Sequence, residues 1–289
     1  MSGSPNSSRG PDGVVLVDKP PGKSSRQAAG VVARKLGASK YGHAGTLDPF
    51  ATGLLIVLLG RACRTQDWFT LLPKAYEATA RLGWTSSTGD PEGELEHTGR
   101  MPPEPLELPE GRILQRPPAF SAVHVAGRRA YELARAGEEV DLPPREVTVY
   151  EFRETGRAGD DVSLRISCSS GTYVRSLVAD LSDAYTSALS RTAVGPFSLE
   201  DADPGRVIPI AEALPFLPSV ELSGAEAAAA GHGRQVSPSA PVVPAIWTAP
   251  GQRDLPGEVL LVSAGEAIAI ARPAGEEAGT FKPVVGFRP

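Results

Sequence analysis

An α+β fold is expected, with a sheet core flanked by helices and loops and a small β-rich unit at the C-terminus. Three features of the chain carry that expectation. Runs with the two-residue period or β-branched composition of strands occur at residues 14–17, 76–82, 145–153 and 163–167. Apolar positions at helical spacing lie between them, in 24–36, 130–136 and 173–189. Proline and glycine then thicken between 231 and 257, ahead of short strands at 259–262, 267–271 and 284–285. The 289 residues amount to about two domains at roughly 150 residues each. The expected boundaries are a Ser/Gly/Pro-rich disordered tail at 1–12, a main unit at 13–215, and an all-β appendage at 216–289.

Each element has a local cause. The strand from Val14 stops at Asp18-Lys19-Pro20-Pro21-Gly22, a turn sequence. Ser24 and Ser25 can cap a helix whose apolar face is Val31, Val32 and Leu36. Residues 42–49 form a polar, Gly-containing loop, and 54–59 are six consecutive apolar residues suited to a buried strand or helix core. Residues 84–110 are rich in Gly, Pro and acid and predict a long connecting loop. Val174, Leu177, Val178 and Leu181 predict one helix face across 173–189, and 207–216 closes the unit.

The formal net charge is −5, which by itself argues against a polyanion partner. Its distribution argues otherwise, because residues 1–75 carry +6, 76–215 carry −9 and 216–289 carry −2. The expected arrangement puts the basic residues of 17–74 on a rim facing a polyanion and turns the acidic 84–110 loop away. No run reaches the 18–20 apolar residues of a membrane helix, and the N-terminus has no apolar core of a secretory signal. Cys63 and Cys168 stand 105 positions apart with no CxxC partner, as expected in a reducing cytoplasm. His43, His97, His124 and His232 make no zinc-binding spacing, so no metal is expected.

The densest chemistry lies in Gly42-His43-Ala44-Gly45-Thr46-Leu47-Asp48-Pro49-Phe50-Ala51-Thr52-Gly53-Leu54-Leu55. Asp48 precedes a proline and is held extended, with its carboxylate off any helix. An isolated Asp-Pro more often caps a following helix. The surrounding His43, Thr46 and three glycines, which permit close approach of a ligand or backbone, favour a functional loop.

This segment resembles the Gly-His-x-Gly-Thr-Leu-Asp-Pro-x-Ala-x-Gly-x-Leu motif of the TruB-type tRNA pseudouridine synthases. The resemblance extends in order through Asp18-Lys19-Pro20-Pro21-Gly22-Lys23-Ser24-Ser25, Lys74-Ala75-Tyr76 and Arg116-Pro117-Pro118-Ala119-Phe120-Ser121-Ala122. It continues through Arg128-Arg129-Ala130-Tyr131-Glu132-Leu133-Ala134-Arg135, Gly171-Thr172-Tyr173-Val174-Arg175 and Leu189-Ser190-Arg191-Thr192-Ala193-Val194-Gly195-Pro196-Phe197. It implies the pseudouridine-synthase fold, a mixed and largely antiparallel sheet, with residues 259–289 resembling a PUA-like domain. The implied activity is isomerisation of the T-arm loop uridine of tRNA, without cofactor or metal, by a cytoplasmic monomer.

The resemblance makes Asp48 the catalytic carboxylate and Arg175 the cation that offsets its desolvation. Tyr76 stacks on a flipped-out base, and either Tyr76 or Tyr173 handles the C5 proton. On a strand, Tyr173 and Arg175 would point the same way. His43 fills the gap left by the base, or is a satisfied loop histidine. Gly45 and Thr46 are expected against the substrate. Lys19, Lys23, Arg61, Arg64, Lys74, Arg128 and Arg129 are expected on RNA phosphates, with Arg26, Arg34, Lys35, Lys40 and Arg135 as further candidates. Arg61-Ala62-Cys63-Arg64 departs from the family's Ala-Thr-Lys, and the 85–93 loop keeps Asp90 and Gly93 but lacks an earlier acid. Two other readings remain at this level. One is a tRNA-binding module with little chemistry, the other a small-molecule enzyme that lacks both common Gly-rich phosphate motifs.

Overall fold

The computed structural model describes residues 10–121, 124–125, 128–136, 138, 141–248, 257–275 and 279–288. The expected tail therefore falls outside the described residues except for 10–12.

β1 (Gly13–Lys19) leads through the Pro20-Pro21-Gly22 turn into α1 (Ser25–Lys35). Ser24 caps that helix: its hydroxyl accepts from Gln27 N while the Gln27 side chain accepts from Ser24 N. β2 (Tyr41–Ala44) and β3 (Thr52–Leu59) flank the Asp48 loop. A 3₁₀ turn (Gly60–Thr65) and α2 (Gln66–Leu71) then lead into β4 (Lys74–Leu82). The acidic stretch is not a plain loop. It holds a hairpin of β5 (Trp84–Ser86) and β6 (Leu95–His97), followed by β7 (Gly111–Gln115).

β8 (His124–Val125), β9 (Arg128–Arg129) and α3 (Ala130–Arg135) form a short excursion. β10 (Arg145–Ala158) and β11 (Asp161–Cys168) pair antiparallel as expected. α4 (Val174–Ala179) is much shorter than the helix expected over 173–189. Asp180 caps it, Ser182 takes φ 126°, and β12 (Ala184–Val194) follows, with β13 (Phe197–Ser198) paired to it. The helical period in Val174, Leu177 and Val178 is real but spans under two turns. From Ala184 the chain is claimed by nine-residue pairing with β4, a long-range contact that overrides the local pattern.

The main sheet has nine strands, in the order β1-β3-β12-β4-β11-β10-β7, with β2 on β3. Only β3 and β12 run parallel in it, pairing Ser190 with Thr52 and Arg191 with Gly53. The 54–59 run is β3, buried on both faces, which explains why it does not alternate. Val15, Val17, Leu55 and Val57 pack on Ala28, Ala29 and Val32 of α1, and Leu16, Ile56 and Leu58 pack with Phe69 and Phe216 on the other side.

The C-terminal unit is a four-stranded sheet, β14 (Ser219–Glu221), β15 (Val259–Ser263), β16 (Glu266–Pro273) and β17 (Phe281–Gly286), in that order. It is not all-β, since α5 (Gly224–Gly231), capped by a Ser223/Glu226 box, packs Ala227 and Ala230 on its core. Ile210, Ala213, Leu214, Phe216 and Leu217 share one core with Leu260, Ile270 and Phe287, so the two sheets are joined by a continuous apolar contact.

Candidate active site

The Asp48 loop is held from below by the first two sequence blocks. Ser25, the first residue of α1, donates through Oγ to Leu47 O (3.1 Å) and accepts from Leu47 N (2.8 Å). Lys19 Nζ donates to Lys23 O (2.8 Å), Pro20 O (3.0 Å) and Pro49 O (3.2 Å), and Gly22 N donates to Pro49 O (2.8 Å). The Asp-Lys-Pro-Pro-Gly turn is therefore a brace for the loop. Lys19 is fully buried, which corrects its expected place on a phosphate. Burial lowers its pKa, against the opposing pull of Asp48 and Glu92.

Arg175, 3% exposed in the first turn of α4, meets Asp48 from across the sheet. Its Nη2 donates to Asp48 Oδ1 at 3.3 Å, and its Nε lies 2.8 Å from Oδ2 as an off-axis ion pair. The rest of the guanidinium is spent: Nη1 donates to Thr88 O (2.7 Å), Nη2 to Phe120 O (2.8 Å), and Nη1 lies 3.4 Å from Asp90 Oδ2. Burial raises the Asp48 pKa, with Asp90 adding to the rise, while Arg175 and Lys19 oppose it. The acidic 84–110 segment does not turn away, because Thr88 and buried Asp90 form part of this network.

A cavity of about 390 Å³ opens beside the pair, lined by Asp48, Arg175, Tyr76, Tyr173, Gly45, Thr46 and Lys74 among others. Tyr76 and Arg191 oppose each other on β4 and β12. Arg191, 1% exposed, donates through Nε to Leu54 O (2.7 Å) and Nη2 to Gly45 O (2.9 Å), and hydrogen-bonds the Tyr76 phenol. Burial pushes that phenol up to about 12. Tyr173 is not on a strand with Arg175; it is the N-cap residue of α4. Buried Gln115 clamps its backbone, accepting from Tyr173 N (2.7 Å) and donating to Tyr173 O (3.0 Å). Arg145 lies over its ring, 5.0 Å from the centroid.

Other expected contacts fall elsewhere. Lys74 is buried with its Nζ donating to Thr70 O and Leu72 O, and burial lowers its pKa to about 7. It lines the cavity rather than an outer phosphate surface. Arg61 is tied to Asp12 and Phe287 O, and Arg64 to Gly286 O, so both join the main unit to β17. Arg128 pairs with Glu138 at 2.9 Å on the β8–β9 excursion, and Arg129 lies on β9 with its side chain outside the described residues, as is that of Arg135. His43, on β2, has a buried Nδ1 without a partner among the described residues, and burial, then Arg191 and Arg26, lower its pKa. Lys23, Arg26, Arg34, Lys35 and Lys40 are exposed.

Sequence reasoning did not single out Asp90, Gln115 or Arg191 for a role. Arg191 lies within the Leu189–Phe197 block, and the signal available was an arginine in an otherwise uncharged strand.

Residues 33–174 match the family model described as TruB family pseudouridylate synthase, N-terminal domain. The tRNA pseudouridine synthase B of Thermobifida fusca is 44% identical over 274 residues, covering 84% of this chain and 93% of that protein. That of Cutibacterium acnes is 39% identical over 298 residues, covering 94% and 97%. Among solved structures, a chain of an H/ACA RNP bound to a substrate RNA containing 2′-deoxyuridine superposes with a TM-score of 0.69 at 22% identity, covering 99% of this chain and 92% of that one. A chain of a Cbf5–Nop10–Gar1 complex gives 0.65 at 26%, covering 95% and 84%. A paired carboxylate and arginine at the wall of a cavity, the ordered sequence blocks and this degree of identity converge, and the chain belongs to the TruB family of pseudouridylate synthases.

Proposed function

We propose that this pseudouridine synthase isomerises the T-arm loop uridine of tRNA, position 55, acting without cofactor as a cytoplasmic monomer. The observation that carries the reading is the Asp48–Arg175 pair, a mostly buried carboxylate gripped by a buried guanidinium at the wall of a nucleotide-sized cavity. Mere RNA binding needs no such pair, and the exposed cations Lys23, Arg26, Arg34, Lys35 and Lys40 suit a polyanion better than a small substrate.

The uridine leaves the loop stack and enters the cavity, where the Tyr76 ring receives the base. The C1′–N1 bond breaks with Asp48 ionised beside it, uracil turns, and C5 bonds to C1′ while N1 becomes an N–H. Arg175 keeps Asp48 ionised in a site whose burial favours the neutral acid, and it aims the carboxylate through two contacts. Tyr76 or Tyr173, the two phenols that line the cavity, relays the C5 proton, giving up its own hydroxyl proton as it accepts that one, so that the net transfer is from C5 to N1. His43, on the strand that leads into the Asp48 loop, is the side chain assigned to fill the space the base vacates.

The test is pseudouridine formation in T-arm transcripts. Wild type converts the single uridine, and Asp48→Asn binds the RNA with turnover reduced by about 10⁴-fold or more. Equal turnover by the variant, or none by wild type, rejects the reading.

A further inference from the structure

The three arginines that line the cavity differ in what they hold. Arg175 is spent on Asp48, Asp90, Thr88 O and Phe120 O. Arg191 is enclosed and spent on Leu54 O, Gly45 O and Tyr76. Arg145, the first residue of β10, is half-buried at the same cavity and donates only from Nη2, to Gly171 O. Its Nε has no acceptor, and no carboxylate lies within ion-pair distance of it, among the described residues. Its strand neighbour Glu146 is exposed and, by strand alternation, faces the other side of the sheet.

A guanidinium is always charged, and an unpaired one beside a cavity is an anion site. Here it is also pre-ordered. The Tyr173 ring backs it at 5.0 Å, and Gln115 and the Gly171 carbonyl fix both the tyrosine and the arginine. Ordering the side chain in advance removes most of the entropy cost of a contact. A flipped nucleotide brings its own flanking phosphodiesters to the mouth of the pocket, since they are covalently attached to the ribose within it.

We infer that Arg145 binds a backbone phosphate adjoining the flipped uridine and so positions the nucleotide over Asp48. The inference rests on the RNA-substrate reading above. Arg145 acts through the backbone and reads no base, so its contribution is to affinity and register.

The experiment uses the full chain and T-arm stem–loop RNAs in which single phosphates near the target uridine are replaced by neutral methylphosphonates. For wild type, one replacement beside the uridine weakens binding about tenfold. Arg145→Gln weakens binding of the unmodified RNA by a similar factor, and the same methylphosphonate then costs nothing further. The loss falls on KM and Kd more than on kcat. The slope of log Kd against log salt drops by about 0.7–0.9 in Arg145→Gln and is retained in Arg145→Lys. A flat methylphosphonate scan with wild type overturns the inference even if Arg145→Gln does not fold. An unchanged salt slope with a loss confined to kcat or thermal stability also overturns it, because that pattern means Arg145 only supports Tyr173. Failure of wild type to convert uridine at all rejects the underlying reading instead, so the two failures are distinguishable.

Discussion

Arg191 and Tyr76 face each other across the β12–β4 pairing, and the buried guanidinium hydrogen-bonds the phenol while holding the carbonyls of Gly45 and Leu54. One side chain thus ties the Asp48 loop, the strand β3 and the tyrosine at the cavity into a single unit. Arg191→Met keeps the volume and removes every donor. Each acceptor left buried without a partner costs about 1–3 kcal/mol, so the expected loss is about 3–5 kcal/mol in urea denaturation. Turnover should fall as well, since both Tyr76 and Gly45 lose their anchor. An unchanged denaturation midpoint would show that the guanidinium is not the tie.

The Asp48 pKa is raised, first by burial and further by Asp90. The reaction needs the ionised form, so rate is lost as pH falls through that raised value, and the loss begins at a higher pH than an ordinary aspartate would give. Asp90→Asn removes a like charge and moves the acid limb of kcat/KM to lower pH. Its plateau rate also drops, because Arg175 loses one of its anchors. A limb that stays in place would separate Asp90 from the titration of Asp48.

Gly53 sits where β3 crosses β12. Its φ is +97°, and a Cβ there would lie 2.4 Å from Arg191 O and 2.6 Å from Arg191 N. Backbone atoms inside a paired sheet cannot withdraw, so Gly53→Ala is expected to cost about 3–5 kcal/mol. Gly22→Ala, also at positive φ but facing open space, serves as the control and costs only about 1 kcal/mol. Comparable melting temperatures for the two variants would refute the close approach.

Burial lowers the Lys74 pKa to about 7 from 10.5. Below that value both folded and unfolded chains carry the charge, and the folded one bears the full desolvation penalty. Above it only the unfolded chain still binds the proton, so stability rises with pH from about 7. Cys168, pushed up from 9.0 to about 11, and Tyr76, up to about 12, act in the opposite sense at higher pH, which confines the clean window to about 7–9. Lys74→Met is expected to flatten the urea-measured stability across that window. A variant with the same slope as wild type would assign the effect to another group.

Much of this organisation can be read along the chain. The Ser24 cap, the β1 turn, the paired strands β10 and β11 and the three C-terminal strands each depend on residues within one element or one hairpin. The readings that failed share a different cause. Residues 184–189 have helix-compatible apolar spacing and become strand because β4 is there to pair with. Lys19, Lys74, Arg61 and Arg64 count as cations in any sequence sum, yet two are buried as braces and two hold β17.

The order of residues was enough to establish the family, the Asp48 loop and the basic first quarter, because motif spacing and turn chemistry act over a few residues. Contact between Asp48 and Arg175, 127 positions apart, is made by the packed sheet, in which β12 lies between β3 and β4. The same packing decides which charges face water. The net charge of −5 could not show that Asp90 turns inward to Arg175, that Arg191 is buried opposite Tyr76, or that Arg145 is left at the cavity without a carboxylate among the described residues. Burial and long-range pairing are properties of the packed molecule, and they set the pKa values and free donors on which the chemistry depends.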